Sequence, residues 1–232
     1  QTTVTKYTDR NGQLLWEDKG DGDYKLVVES KNISKYMKDA TVAIEDKDFF
    51  KHGGFSLTGI LRAAVSNSGS RSGGTQGGST LTQQLVKQVF FPPEEAQKRG
   101  INGIPRKIKE VILSVEVERM YNKDQILTLY LNESPYGGRR NGVESAAQAY
   151  FGKAAKDLNL SESALLASIP QSPTKFNPWS TDSESVKALI SRKDTVLDYM
   201  AEQGYVTKTE ASEAKKVAIL DTVKPESSLF AD

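Results

Sequence analysis

The chain has 232 residues, with 31 Lys+Arg against 30 Asp+Glu. That length allows one domain with a sizeable buried core, and a formal net charge of +1 excludes a strong global field toward nucleic acid. With no cysteine and one histidine, disulfides, thiol catalysis, Cys-based zinc sites and multi-histidine metal sites are excluded.

In chain order, Val4 to Thr8 and Gln13 to Trp16 flank Asn11-Gly12, a two-residue hairpin signal. After an acidic loop, Tyr24 to Val28 is expected to add a third strand. Residues 1–32 thus read as a small β ribbon that needs support from the rest. From Ile33 the period becomes helical, which predicts a helix to about Phe49. Ser56 is expected to cap another, with Leu57, Ile60, Leu61 and Ala64 on its apolar face. The stretch 66–78, NSGSRSGGTQGGS, has the composition of a flexible linker. Thr80 and Gln83 have capping-box spacing for a helix through Val89, and Phe90-Phe91-Pro92-Pro93 ends it.

Pro105 suits the first turn of a helix from Arg106 to Tyr121, with Ile108, Val111, Ile112 and Val115 on one face. Helices at Lys123 to Asn132 and Val143 to Phe151 follow, and Ser161 is expected to cap Glu162 to Ile169. After a loop marked by Pro170, Pro173 and Pro178, helices near 183–202 and 208–217 close the chain. Gly204 stops the first, and Thr207 with Glu210 opens the second. No internal repeat, βαβ alternation or run of 18 apolar residues occurs, so the fold class is mainly α.

Three polar clusters could carry chemistry. In EDKDFFKHGGF, Glu45 and Asp46 follow the apolar Val42 and Ile44 and precede His52. A carboxylate ending an apolar helix can serve as a base; the plainer alternative is a solvated helix C-terminus with His52 favoured by the dipole. In GGSTLTQQLVK, glycines feed a helix N-terminus carrying Ser79 and Thr80, which favours an anion. Thr80, Gln84 and Lys87 recur at i, i+4 and i+7, a stripe suited to sugar and phosphate or simply to water. In the third, Lys98, Arg99, Arg106, Lys107 and Lys109 face only Glu110, five basic minus one acidic, or +4. That charge could attract a diphosphate or an anionic membrane surface, or could amount to a surface salt bridge of roughly 0–1 kcal/mol.

Taken in order, these strings resemble the peptidoglycan glycosyltransferase domain, glycosyltransferase family 51, of class A penicillin-binding proteins. Glu45, Asp46, Phe49, His52 and Gly54 are similar to its E-D-x-x-F-x-x-H-x-G signature. Gly77 to Lys87 is similar to G-G-S-T-x-x-Q-Q-L-x-K, and Arg106, Lys107 and Glu110 to R-K-x-x-E. KDQILTLYLN (123–132) and GVESAAQAYFGK (142–153) extend the resemblance over about residues 36–216. Gln88 departs from the family's usual Asn, and the 66–78 loop is longer and richer in Ser and Gly than usual.

The resemblance implies a lysozyme-like, two-lobed fold over residues 33–220, with a flexible membrane-facing jaw at about 66–105 on which Phe90 and Phe91 are expected to be exposed to lipid. It implies polymerisation of lipid II into β-1,4 glycan strands with inversion, releasing undecaprenyl diphosphate. Glu45 would be the base, with Asp46 supporting it or helping to hold a metal. Glu110 would be the second essential glutamate, orienting the diphosphate through a divalent ion or holding the basic cluster. Ser79, Thr80, Gln83, Gln84, Lys87, Arg106 and Lys107 would bind substrate, with His52 and Phe49 fixing the Glu45 loop. Any metal would be Mg²⁺ or Mn²⁺ on oxygen ligands such as Asp46 and Glu110. Expected partners are lipid II and the growing glycan, the membrane surface, moenomycin-type inhibitors and cell-wall synthesis proteins. The expected location is the extracytoplasmic face of a bacterial cytoplasmic membrane. Gln1 is not a natural start, so a fragment of an anchored enzyme is expected, with 221–232 leading to a transpeptidase. No S-x-x-K, S-x-N and K-T-G set is present to bind β-lactams. Two alternatives stay open: a lysozyme-like enzyme that cleaves glycan, and a non-catalytic envelope scaffold.

Overall fold

The structure is a computed structural model that describes residues 5–8, 14–18, 24–55, 78–98, 100–138 and 140–226. Its described part is mainly helical, as the periodicity predicts. The predicted Ser56 helix, most of the Gly/Ser-rich stretch, the Asn11-Gly12 turn, Arg99 and residues 227–232 lie outside the described residues.

Two helical groups share one core. The first comprises Lys35–Glu45, Leu160–Ser168, Ser183–Glu202 and Lys208–Lys216, packed on one another. Leu160–Ser168 is its centre, with every residue from Ser161 to Ser168 buried. A helix of small and apolar residues all round belongs inside a core. The second group packs Leu81–Phe90 against Ile104–Met120 and Lys123–Glu133. Leu81, Leu85, Ile126 and Leu131 join the core that contains Met37, Ile44, Leu165 and Val196.

Local signals place most helix ends. The Thr80 hydroxyl accepts the Gln83 N–H at 3.2 Å. Thr207 and Glu210 make the full reciprocal box, and Gly204 adopts φ +78° after the Ser183–Glu202 helix. Other ends differ from expectation. The cap at 160 is Asn159, not Ser161, because Asn159 and Glu162 have the correct three-residue spacing. The Ser161 hydroxyl donates instead to the Ala214 carbonyl, at 3.1 Å. The first helix stops at Glu45 rather than Phe49, and Asp46 leaves helical geometry at φ −157°.

Thr5–Thr8 pairs antiparallel with Leu14–Asp18, as the hairpin pattern predicts. The third strand does not extend that ribbon. Only Tyr24–Lys25 is strand, and it pairs in parallel with Arg140–Asn141. Beyond it, the N–H groups of Leu26 and Val28 donate to Ser145 Oγ and Asn132 Oδ1, at 2.8 and 3.0 Å. Side chains thus take the bonds that a neighbouring strand would have made.

The largest difference is the Ile104–Met120 helix. Half of its expected apolar face points outward: Ile108 and Ile112 are 56% and 60% exposed, as is Ile104 at 53%, while Val111 and Val115 are half-buried. Its buried residues are Glu110 and Ser114. The Gly54 backbone presses on this inner face, where an added Cβ would lie 2.7 Å from the Ser114 carbonyl oxygen. With φ +86° at the same residue, both conformation and space require glycine.

Candidate active site

Glu45 ends the Lys35–Glu45 helix with a side chain only 10% exposed. Each of its oxygens meets one donor. Gln84 Nε2 donates to Oε2 at 2.9 Å, and Arg192 Nη2 donates to Oε1 at 3.2 Å. Tyr130 donates its hydroxyl to Gln84 Oε1 at 3.3 Å. Burial, with the Glu45 charge adding to it, pushes the Tyr130 and Tyr136 phenols up, so both stay neutral near the carboxylate.

Asp46 looks the other way. His52 Nε2 lies 3.0 and 2.9 Å from its two oxygens, and Oδ2 also accepts the Leu81 N–H at 3.0 Å. Asp46 therefore ties the Glu45 loop to the start of the Leu81–Phe90 helix, where a carboxylate also favours the dipole. Phe49 is fully buried below that loop, edge-on to Phe50 at 5.1 Å. Lys123 lies 4.5 Å over the Phe49 ring and donates to the His52 carbonyl at 2.6 Å and to Glu118 at 2.8 Å. Thr82 completes this tie with a 2.6 Å bond to Glu118.

The basic cluster is built on the inner face of the Ile104–Met120 helix. Glu110 is 2% exposed and accepts from Arg106, with Lys107 Nζ at 3.1 Å. This burial overturns the surface-salt-bridge alternative. Lys107 also donates to Ser79 Oγ at 2.7 Å and to Gln83 Oε1 at 2.8 Å. Burial first, then the charges of Arg106 and Lys87, push Lys107 down to about 8. Lys107 thus lies close enough to Arg106 and Lys87 to feel both charges.

One helix connects the two sides. On Leu81–Phe90, Gln84 holds Glu45 while its neighbour Gln83 holds Lys107. Thr80 is buried, and its hydroxyl donates to the Gly54 carbonyl at 2.8 Å while it caps the helix. Thr80 and Gln84 thus serve positioning contacts inside the protein, and Lys87 is the member of the expected stripe beside the cations. Arg192, Tyr130, Tyr136, Lys123 and Glu118 were not singled out from the sequence. Arg192 is 147 positions from Glu45, and no local spacing could have signalled it.

Asp46 and Glu110 do not fit a divalent cation. Asp46 is spent on His52 and a backbone N–H, and Glu110 faces two cations. Among the described residues, no group of three His, Asp or Glu side chains could hold a metal ion.

The family model described as Transglycosylase matches residues 11–201. The chain belongs to the transglycosylase family. The chain is 38% identical over 214 residues to a penicillin-binding protein 1A of Clostridium botulinum, covering 88% of the chain and 25% of the relative. It is 39% identical over 203 residues to penicillin-binding protein 1A of Aquifex aeolicus, covering 87% and 26% respectively. The chain spans about a quarter of the length of these relatives. The crystal structure of penicillin-binding protein 1A from Haemophilus influenzae shares the fold, with a TM-score of 0.52 at 23% identity, over 97% of this chain and 22% of that one. The resemblance read from the motifs and the mainly helical, lysozyme-like fold class are both borne out.

Proposed function

We propose that the chain is a peptidoglycan glycosyltransferase that polymerises lipid II into β-1,4 glycan strands with inversion and releases undecaprenyl diphosphate. One observation carries the reading: a buried carboxylate and a half-buried basic cluster are held by adjacent glutamines of one helix, Gln84 on Glu45 and Gln83 on Lys107. Glu45 takes the proton of the acceptor's 4-hydroxyl as that oxygen attacks the donor's anomeric carbon. The bond to the diphosphate breaks on the opposite face. Lys87, Arg106 and Lys107 meet the charge that develops on the leaving group. Asp46, His52 and Phe49 hold the Glu45 loop, and Glu110 holds the cations against their mutual repulsion. Glycan cleavage has no use for this cationic set, and a scaffold has no use for an oriented carboxylate.

A lipid substrate calls for a membrane-facing surface. Ile104, Ile108 and Ile112 form an outward stripe, and Val89 and Phe90 are exposed on the adjoining helix. This supports a membrane contact at the outer face of the cytoplasmic membrane. Among the described residues, no helix is long and apolar enough to cross a membrane. Phe91 does not share the exposure expected of it. It is 9% exposed, because the chain leaves the helix after Phe90 and Phe91 turns into the fold. Incubation with labelled lipid II tests the proposal. Polymer of β-1,4 linkage is the expected product; cleaved glycan or unchanged lipid II would overturn it.

A further inference from the structure

Arg192 lies on the Ser183–Glu202 helix and is 8% exposed. Its side chain is fixed at three points. Nε donates to the Ser168 carbonyl at 3.1 Å, and the guanidinium lies 5.6 Å over the Phe176 ring. Ser168 is the last residue of its helix, so its carbonyl is unused within that helix and sits at the negative end of the dipole. The third point is Nη2 on Glu45 Oε1 at 3.2 Å. The adjacent Lys193 provides a contrast. It is also buried, at 1% exposure, but reaches the Lys215 carbonyl and Asp194. Two neighbouring buried cations of one helix thus divide between the base and the surrounding fold.

We infer that Arg192 is a positioning residue for the base: it holds one oxygen of Glu45 while Gln84 holds the other, and so sets the plane in which Glu45 meets the acceptor hydroxyl. The inference rests on the reading of Glu45 as the base. A carboxylate with one donor on each oxygen cannot rotate freely, yet each oxygen keeps a further lone pair for the incoming hydroxyl. Such pre-orientation acts on turnover, because the gain is realised as the proton moves. Arginine suits the task because its rigid fork meets Ser168 and Glu45 with different nitrogens. An ammonium has a single nitrogen and a flexible stem, so lysine retains the charge and loses part of the hold. Nothing in this geometry places Arg192 on the diphosphate. Its ties run to Glu45, Ser168 and Phe176, whereas Lys107 meets Ser79, Gln83 and Glu110.

The test is lipid II polymerisation by the full chain carrying Arg192→Met or Arg192→Lys, each alone and combined with Glu45→Gln. Affinity for a moenomycin-type phosphoglycolipid is measured alongside as a probe of the diphosphate cluster. Arg192→Met is expected to lower kcat about 10- to 100-fold, with KM and inhibitor affinity changed less than about 3-fold. Arg192→Lys recovers part of kcat. In the Glu45→Gln background, Arg192→Met adds less than about 3-fold, because the carboxylate it positions is gone. The inference is overturned if the loss is in KM or inhibitor affinity, or if the two substitutions multiply. Should Arg192→Met fail to fold, the same kcat-against-KM division in Arg192→Lys decides the matter. A Glu45→Gln enzyme of wild-type activity would sink the base assignment itself, and that outcome is visible in the single variant.

Discussion

The two sides of the Leu81–Phe90 helix treat a glutamate in opposite ways. Glu45 is backed by the main core and carries one donor per oxygen, one neutral and one cationic. Glu110 is more deeply buried and faces two cations from its own helix, Arg106 one turn before it and Lys107 three residues before it. The proposed base role needs a free lone pair, and each Glu45 oxygen keeps one beside its single donor. Glu110 is neutralised by its partners, and its charge permits three cations to crowd together. The surroundings differ as well. Behind Glu45 lie buried tyrosines; outside Glu110 lies a helix whose isoleucines face outward. On the proposed reading, identical side chains serve as a reactive group on the core side and as an anchor on the outer side.

The largest expected effect strikes the core side. Glu45→Gln keeps the size and one acceptor oxygen, while its amide nitrogen cannot accept the second bond, and it should cut turnover by at least about 10²-fold. Steady-state polymerisation, with circular dichroism to confirm folding, checks it. Turnover within a few-fold of wild type would dissolve the contrast between the two glutamates.

Glu110→Gln should act through stability first. Removing one partner from a fully buried ion pair costs about 3–5 kcal/mol, and less is expected here because solvent reaches the Lys107 side chain. A drop in Tm larger than that of Glu45→Gln is expected, with loss of inhibitor affinity. Equal Tm values for the two variants would show that Glu110 does not anchor the cations.

The outer side should also respond to pH. Lys107 is held at about 8 against an ordinary value of 10.5. A lowered lysine pKa means that the folded state binds fewer protons than the unfolded state between those values. Its penalty on stability is therefore full below about pH 8 and relieved as pH rises toward 10.5. Binding has the opposite sign, since a neutral Lys107 attracts no phosphate. Affinity for a phosphoglycolipid should fall as pH rises through about 8, and Lys107→Met should flatten that fall. Calorimetry across pH 7–9 reads both. An unchanged slope in the variant would assign the effect to another group.

The smallest effect separates two adjacent phenylalanines. Phe90→Ser, at a side chain 57% exposed, should weaken binding to liposomes and leave Tm nearly unchanged. Phe91→Ser, at 9% exposure, should lower Tm instead. A matched stability loss in both would place Phe90 in the core and remove the membrane-facing character of this side.

What the amino-acid sequence determined by itself is short-range. The Thr207–Glu210 box, the Thr80 cap, Pro105 in the first turn of its helix and Gly204 after another each act within about one helical turn, so their residues fix helix ends wherever the helix packs. The same holds for the ordered motif strings, which named Glu45, His52, Lys87, Arg106, Lys107 and Glu110. Tertiary structure decided which way those helices turn. The Ile104–Met120 helix has apolar and polar faces, and periodicity alone sends the isoleucines inward. The close approach of Gly54 to Ser114 and the burial of Glu110 send them outward. Tertiary structure also brought Arg192 and Tyr130 to Glu45 and Gln84, across 147 and 46 positions. A hydrogen bond depends on distance in space, and a period of 3.6 residues carries no information about which distant helix supplies the donor.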